Sequence, residues 1–409
     1  MDGITITNET ARSLVVQAQL LNTIPRNPQK GDGVAEIVEN LGYVQIDTIN
    51  VLNRAHHHTL WTRLPHYQSH DLHQAQAEQK RIFEYWGHAM SYLPMADYRY
   101  YLPYKQHFNN PYGNWAKERL EKYGHIMEPT LQRIREEGPM ATRDFISEDT
   151  DHRGTWWNWR PVKVALELLF WQGKLMVAER KNFQKIFDLT ERVLPDWVDT
   201  STPADDELGR FLVQRALTAY GLATEKEIVD HLRVAEKKVI GKALQEMHAA
   251  HEIFSVNVKG EEKELTFYTL PEMLEKSGTA LSANMEVFIL SPFDNFCIQR
   301  GRMKTFFNFD YALECYLKPE QRRFGYFALP IFWKDRFIGK MDAKADRKEK
   351  TLLIHHLQFE DDFKPDESFR TALQSKLSAF TKFQNCQRFT IARISPEKLN
   401  TFTNFEFED

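Results

Sequence analysis

One local order recurs three times along this chain and restricts its fold more than any other feature: helical periodicity, a break, then β-branched residues around a polar turn. In the first copy, Val34–Leu41 reads as a short helix. Gly42 ends it, because glycine tolerates a left-handed terminal position, and "YVQIDTI" follows as a strand. In the second, Pro161 opens "VKVALELLFWQ", Gly173 closes it, and "KLMVAE" and "FQKIFDLT" read as a strand pair. In the third, "ATEKEIVDHL" and the helix that begins "KKVIGKALQEMHAA" precede "EIFSVNV", a turn "KGEEKEL" and a returning strand "TFYTL". Two helices followed by a β-hairpin make a winged helix-turn-helix, a unit that most often docks on duplex DNA. A helix pair used only for packing has the same spacing, so the pattern fixes architecture before it fixes a partner.

The remaining segments fill in around these units. Residues 8–22 read as an amphipathic helix, the aromatic stretch "YWGHAMSYLPMADYRYYLPY" and a charged helix over Asn114–Glu137 read as scaffold, and after about residue 280 strands dominate: "MEVFIL", "FGYFALPIFW", "RFIGKMDA" and "TLLIHHLQF", with a closing helix near 365–383. At 409 residues the chain exceeds one ordinary core. The expected division is a first unit over 1–135, a second over 136–200, a third over 201–278 and a strand-rich C-terminal domain over 279–409. The fold class is α+β. No low-complexity linker separates the units, which predicts one rigid, monomeric body.

Apolar residues at 42% and charged residues at 27% are those of a globular protein, and no apolar run is long enough to span a bilayer. "MDGITITNETARS" lacks the basic and apolar regions of a targeting peptide, and Cys297, Cys315 and Cys386 form no C-x-x-C pair. The expected location is a reducing cytoplasm. Net charge is −4, yet residues 297–350 hold thirteen Lys/Arg against seven Asp/Glu, and residues 153–192 hold eight against four. Basic faces of this kind attract phosphates; solvated helix faces have the same composition.

If "YVQIDTI" is a strand, Gln45 and Asp47 share one face while Val44 and Ile46 share the other. An amide beside a carboxylate can hold a water or oppose a developing cation. It can equally be the wet side of a wing strand. Nearby, Arg54, His56, His57, His58, Trp61 and Arg63 offer donors and an aromatic surface to a nucleic-acid backbone or base. Consecutive histidines diverge and no H-E-x-x-H pair exists, so no metal site is expected. "HRGTWWNWRPVK" sets Arg153, Trp156, Trp157, Arg160 and Lys163 at the mouth of the second recognition helix, where cations and aromatic wedges suit DNA. Arg300, Arg302, Lys304, Lys344, Arg347 and Lys348 make a third basic group, a groove lining or a solvated surface.

With these strings assembled, the sequence closely resembles the YcaQ group of crosslink-repair enzymes within the AlkZ-like winged-helix DNA glycosylases. The resemblance runs through "LGYVQIDTINVLNRAHHHTLWTRLP", "RGTWWNWRPVKVALELLFWQGKLMVAER", "LSPFDNFCIQRGR", "FGYFALPI" and "DAKADRK". It implies three winged-helix units around a concave DNA-binding surface, and a Gln-apolar-Gln or Gln-apolar-Asp catalytic motif, of which Gln45-Ile46-Asp47 matches the second. It also implies a monofunctional enzyme without a cofactor that hydrolyses N7-alkylated purines and unhooks interstrand crosslinks in double-stranded DNA, through an open, shallow site. A non-catalytic tandem winged-helix regulator is the rival reading, and a metallohydrolase built on His56–His58 is a third.

Overall fold

The structure is a computed structural model that describes residues 4–21, 30–64, 66–109, 114–145, 159–259, 265–275 and 286–399. The three expected helix-to-strand passages each lead into a three-stranded sheet. Helix Gly31–Leu41 buries Val34, Ile37, Val38 and Leu41 and stops at Gly42, whose φ of 76° is left-handed. A Cβ there would lie 2.7 Å from His231 Nε2, so the position requires glycine twice over. Strand Val44–Gln45 then pairs antiparallel with Met90–Pro94, which forms a hairpin with Ile82–Trp86. In the second passage, helix Trp159–Trp171 turns at Gly173 into the hairpin Leu175–Lys181 and Gln184–Leu189, to which Met140–Ala141 adds an edge. In the third, Thr224 caps helix Glu225–His231 through a capping box with Glu227. Helix Lys237–Ala249 follows, then strands Phe254–Val258 and Phe267–Thr269.

Two boundaries differ from expectation. Strand Ile4–Ile6 pairs in parallel with Phe254–Val258, so the N-terminal residues complete the third sheet and residues 1–135 do not close on themselves. Position 135 also falls inside helix Asn114–Glu137, whose interior Pro129 does not end it.

The C-terminal region is a six-stranded sheet in the order Val287–Ile289, Leu329–Trp333, Arg336–Asp346, Thr351–Phe359 and Arg388–Ile391, with Ile394–Ser395 beside Thr351–Phe359. Helix Glu367–Phe383 packs against it through Phe369, Leu373, Leu377 and Phe380. The chain is therefore of the mixed α+β class. One apolar core joins the sheet to the first unit: Val44, Ile46, Leu60 and Trp61 share it with Leu352, Ile354 and Phe380. Burying a side chain of this size contributes about 1.5–3 kcal/mol, so the strand before Asp47 is held by residues three hundred positions away. Among the described residues no helix is long and apolar enough to cross a membrane.

Candidate active site

The strand expected over "YVQIDTI" ends early. Val44 and Gln45 pair with Tyr92 and Ser91, and the Ile46 N–H still donates to the Met90 carbonyl at 2.8 Å. Asp47 then leaves the ladder because its Oδ2 accepts the Ile49 N–H at 2.7 Å, a side-chain turn that replaces the next sheet bond. The alternation nevertheless holds: Val44 and Ile46 are buried, while Gln45 and Asp47 are half-buried. Gln45 Oε1 is shielded from solvent and has no hydrogen-bond partner in the protein. A shielded acceptor left unpaired costs about 1–3 kcal/mol, so it is a position to be explained by function or water.

The loop after Asp47 is tied down at Thr48, Asn50, Val51 and Asn53. Arg54 Nη1 donates to the Thr48 carbonyl at 2.9 Å, and Arg347 donates to the carbonyl and Oδ1 of Asn50 at 3.0 and 2.9 Å. The Ala345 N–H bonds the Val51 carbonyl at 2.9 Å. The Asn53 N–H donates to Gln384 Oε1 at 2.6 Å, and its side-chain amide donates to the Phe383 carbonyl. Five of these six bonds come from the C-terminal domain.

Arg54 stands beside the carboxylate. Its guanidinium lies 3.7 Å over the Phe183 ring, and Arg180 covers the same ring at 4.5 Å. Phe183 occupies the tip of the second hairpin with a φ of 69°. Arg180 is itself anchored by two bonds to buried Glu84, at 2.6 and 2.7 Å. Burial first, then Arg180, lower the pKa of Arg54, and Asp47 raises it.

The three histidines do not form a cationic surface. His56 is buried between His57 and Phe183, and burial holds its pKa well below the usual value. His57 is half-buried, with Nδ1 2.6 Å from the Tyr67 hydroxyl, and burial then Arg54 push its pKa down to about 4. His58 is buried with Nε2 2.8 Å from the Ile289 carbonyl, and burial pushes it to about 4 against the opposing pull of that carbonyl and Asp294. All three are neutral near pH 7. His56 and His58 are therefore corrected from DNA contacts to packing residues. Among the described residues no group of three His, Cys, Asp or Glu is arranged to hold a metal ion.

The model of the family described as DNA glycosylase AlkZ-like matches residues 38–383, which include the Gln-Ile-Asp motif, the histidines and most strands of the four sheets. The chain belongs to the AlkZ-like DNA glycosylase family. It is an enzyme, and its substrate is DNA. The fold is similar to that of the solved Streptomyces sahachiroi DNA glycosylase AlkZ, with a TM-score of 0.63 and 14% identity over 95% of this chain and 100% of that one.

Further corrections concern the basic and aromatic residues of this glycosylase. The Arg63 side chain is 1% exposed, paired with Asp294 at 2.7 and 2.9 Å and bonded to the Gln19 and Thr59 carbonyls, so it clamps a core and cannot meet phosphate. Trp61 stacks on Phe383 at 4.7 Å and joins its helix to Glu367–Phe383. Arg302 is 4% exposed and binds Glu227 and the Leu222 and Tyr220 carbonyls. Arg300 is half-buried and donates to the Ile298 and Pro292 carbonyls. Lys304 is exposed and donates to Asn308 Oδ1 at 2.9 Å. Lys344 is exposed on strand Arg336–Asp346, and Arg347, also exposed, braces Asn50. Lys163 is exposed on helix Trp159–Trp171, whose first turn includes Arg160. Arg153, Trp156 and Trp157 lie outside the described residues.

Sequence reasoning missed Cys315, Tyr316, Arg180 and Phe183 near Asp47 and Arg54. Burial first, then Asp47, raise the pKa of the Cys315 thiol, and burial, then Cys315, then Asp47 raise that of the Tyr316 hydroxyl. The signal available for Tyr316 was the interleaving of aromatic and basic residues in "CYLKPEQRRFGYF".

Proposed function

We propose that this glycosylase hydrolyses the N-glycosidic bond of N7-alkylated purines in double-stranded DNA and unhooks interstrand crosslinks, with Gln45 and Asp47 as its catalytic pair. Alkylation at N7 makes the base cationic and a good leaving group, so no strong general acid is needed. The barrier that remains is the positive charge left on the sugar and the delivery of water. A fixed, accessible carboxylate opposes that charge, as in glycoside hydrolysis. The Gln45 amide oxygen accepts a hydrogen bond from the attacking water. The observation that carries this reading is the pairing of a half-buried Asp47, fixed by the Ile49 N–H, with a Gln45 oxygen that no protein group satisfies. No lysine nucleophile is required, so base release leaves the strand intact. We assign the three hairpins as wings of winged-helix units that cradle the duplex, with Arg54, His57, Lys304, Lys344 and Arg347 the accessible candidates for DNA contact and Arg160 and Lys163 at a helix start.

Purified protein incubated with a duplex containing N7-methylguanine tests the assignment. Base release without strand cleavage is expected. Asp47→Asn is expected to lower the single-turnover rate by at least a hundredfold, and Gln45→Ala by less, both with duplex affinity retained. Wild-type rates in the Asp47→Asn protein would sink the role given to Asp47. Incubation with a duplex crosslinked through N7 tests unhooking by the same chemistry.

A further inference from the structure

The second hairpin reverses through only Asn182 and Phe183, between the paired Lys181 and Gln184. Both have positive φ, 50° and 69°, the type I′ geometry that favours glycine at the second place. A phenylalanine there is held against its backbone preference, and strain of this kind persists only where surrounding contacts impose it. Those contacts belong to a different core. Val177, Phe187 and Leu189 of the same hairpin pack with helix Trp159–Trp171, whereas Phe183 packs against the core of Val44, Ile46 and Leu60. Its ring carries the Arg54 guanidinium at 3.7 Å and that of Arg180 at 4.5 Å, and stacks with His56 at 6.0 Å. Arg180 also donates to the Phe183 carbonyl at 2.9 Å and, through two further bonds, to buried Glu84, which accepts Gln76 Nε2 at 3.2 Å as well. Arg54 in turn reaches one particular peptide. Its Nη1 donates to the Thr48 carbonyl, and the N–H across that same peptide bond, that of Ile49, donates to Asp47 Oδ2. Since a peptide unit is planar and turns as one body, the side chain that holds its carbonyl also orients the donor on which the carboxylate rests.

We propose that Phe183 is a positioning residue for the turn at Asp47: its ring seats Arg54, which locks the Thr48–Ile49 peptide and so aims the Asp47 carboxylate. Phe183 turns inward for this from a hairpin whose neighbouring residues Lys181 and Asn182 stay exposed. The role rests on the catalytic assignment of Asp47. Removing the aromatic face on which a guanidinium sits is expected to slow single-turnover base release roughly tenfold. Phe183→Leu keeps apolar bulk without that face and is expected to show the loss. Phe183→Tyr keeps the face and is expected to restore the rate.

Hydrogen exchange at the Ile49 amide, measured in the protein without DNA, reads the lock independently of turnover. Phe183→Leu is expected to quicken it severalfold and Phe183→Tyr to leave it near the wild-type rate. Phe183→Gly, which suits the left-handed backbone, carries the same expectation as leucine and serves if the leucine protein does not fold. Ile49 exchange indifferent to loss of the ring would overturn the proposal, as would quickened exchange with base release still at the wild-type rate. Lowered duplex affinity with Ile49 exchange unchanged would overturn it too and make Phe183 a DNA contact. If wild-type protein releases no base yet Ile49 exchange follows the ring, the lock stands and the chemistry assigned to Asp47 falls.

Discussion

At the scale of single residues, burial separates two uses of the same side-chain type. Arg63 and Lys344 look alike in sequence, yet Arg63 neutralises a fully buried Asp294 and Lys344 projects into water. Removing one partner of a buried pair leaves the other charge uncompensated, at about 3–5 kcal/mol. Arg63→Ala is therefore expected to lower stability by that amount in urea unfolding, and Asp294→Ala to do the same. Lys344→Ala is expected to leave stability unchanged and to reduce the salt dependence of duplex binding by about one phosphate contact. An unchanged salt slope would place Lys344 off the duplex. Arg302 belongs with Arg63, because its guanidinium is spent on Glu227 and two carbonyls.

At the scale of elements, the loop after Asp47 depends on bonds supplied from elsewhere in the chain. The Asn53 N–H is held by Gln384, which lies just past the end of helix Glu367–Phe383. Gln384→Ala removes that acceptor, at about 1–3 kcal/mol for an N–H left unpaired. Hydrogen exchange over residues 48–54 is expected to quicken and base release to slow several-fold, with duplex affinity unaltered. Protection identical to wild type would show that the Arg347 and Ala345 bonds suffice.

At the scale of the whole molecule, the suppressed histidines set acid stability. The unfolded chain binds a proton at each histidine below pH 6.5, whereas folded His57 and His58 bind one only near pH 4. Between those values the unfolded state holds more protons, so stability falls as pH falls, by about 3 kcal/mol for His58 alone. His56 and His231, held well below the usual value by burial, act in the same direction. Asp97 acts in the opposite one: burial raises its carboxyl to about 6, so the folded form takes up that proton first. Asp342, also raised, adds to it. Four histidines outweigh two carboxyls, and the melting temperature is expected to drop between pH 6.5 and 4, less steeply in His58→Gln. A profile that is flat or rises toward pH 4 would contradict the buried, neutral state of these rings.

Periodicity and breakers determined much of this protein at the level of the sequence. Gly42 and Gly173 mark chain reversals because glycine takes their left-handed backbone angles at least cost, and the strand "TLLIHHLQF" and the helix Asn114–Glu137 are read off within their own length. The Gln45–Asp47 face was legible because alternation is a property of adjacent residues. What the sequence could not decide was which charges face water, since Arg63, His58 and Trp61 acquire their partners 231 or more positions away or from another helix. Nor could it pair Ile4–Ile6 with Phe254–Val258. Local geometry is fixed by neighbours in the chain, but burial and electrostatics are fixed by neighbours in space, and only the packed tertiary structure supplies those.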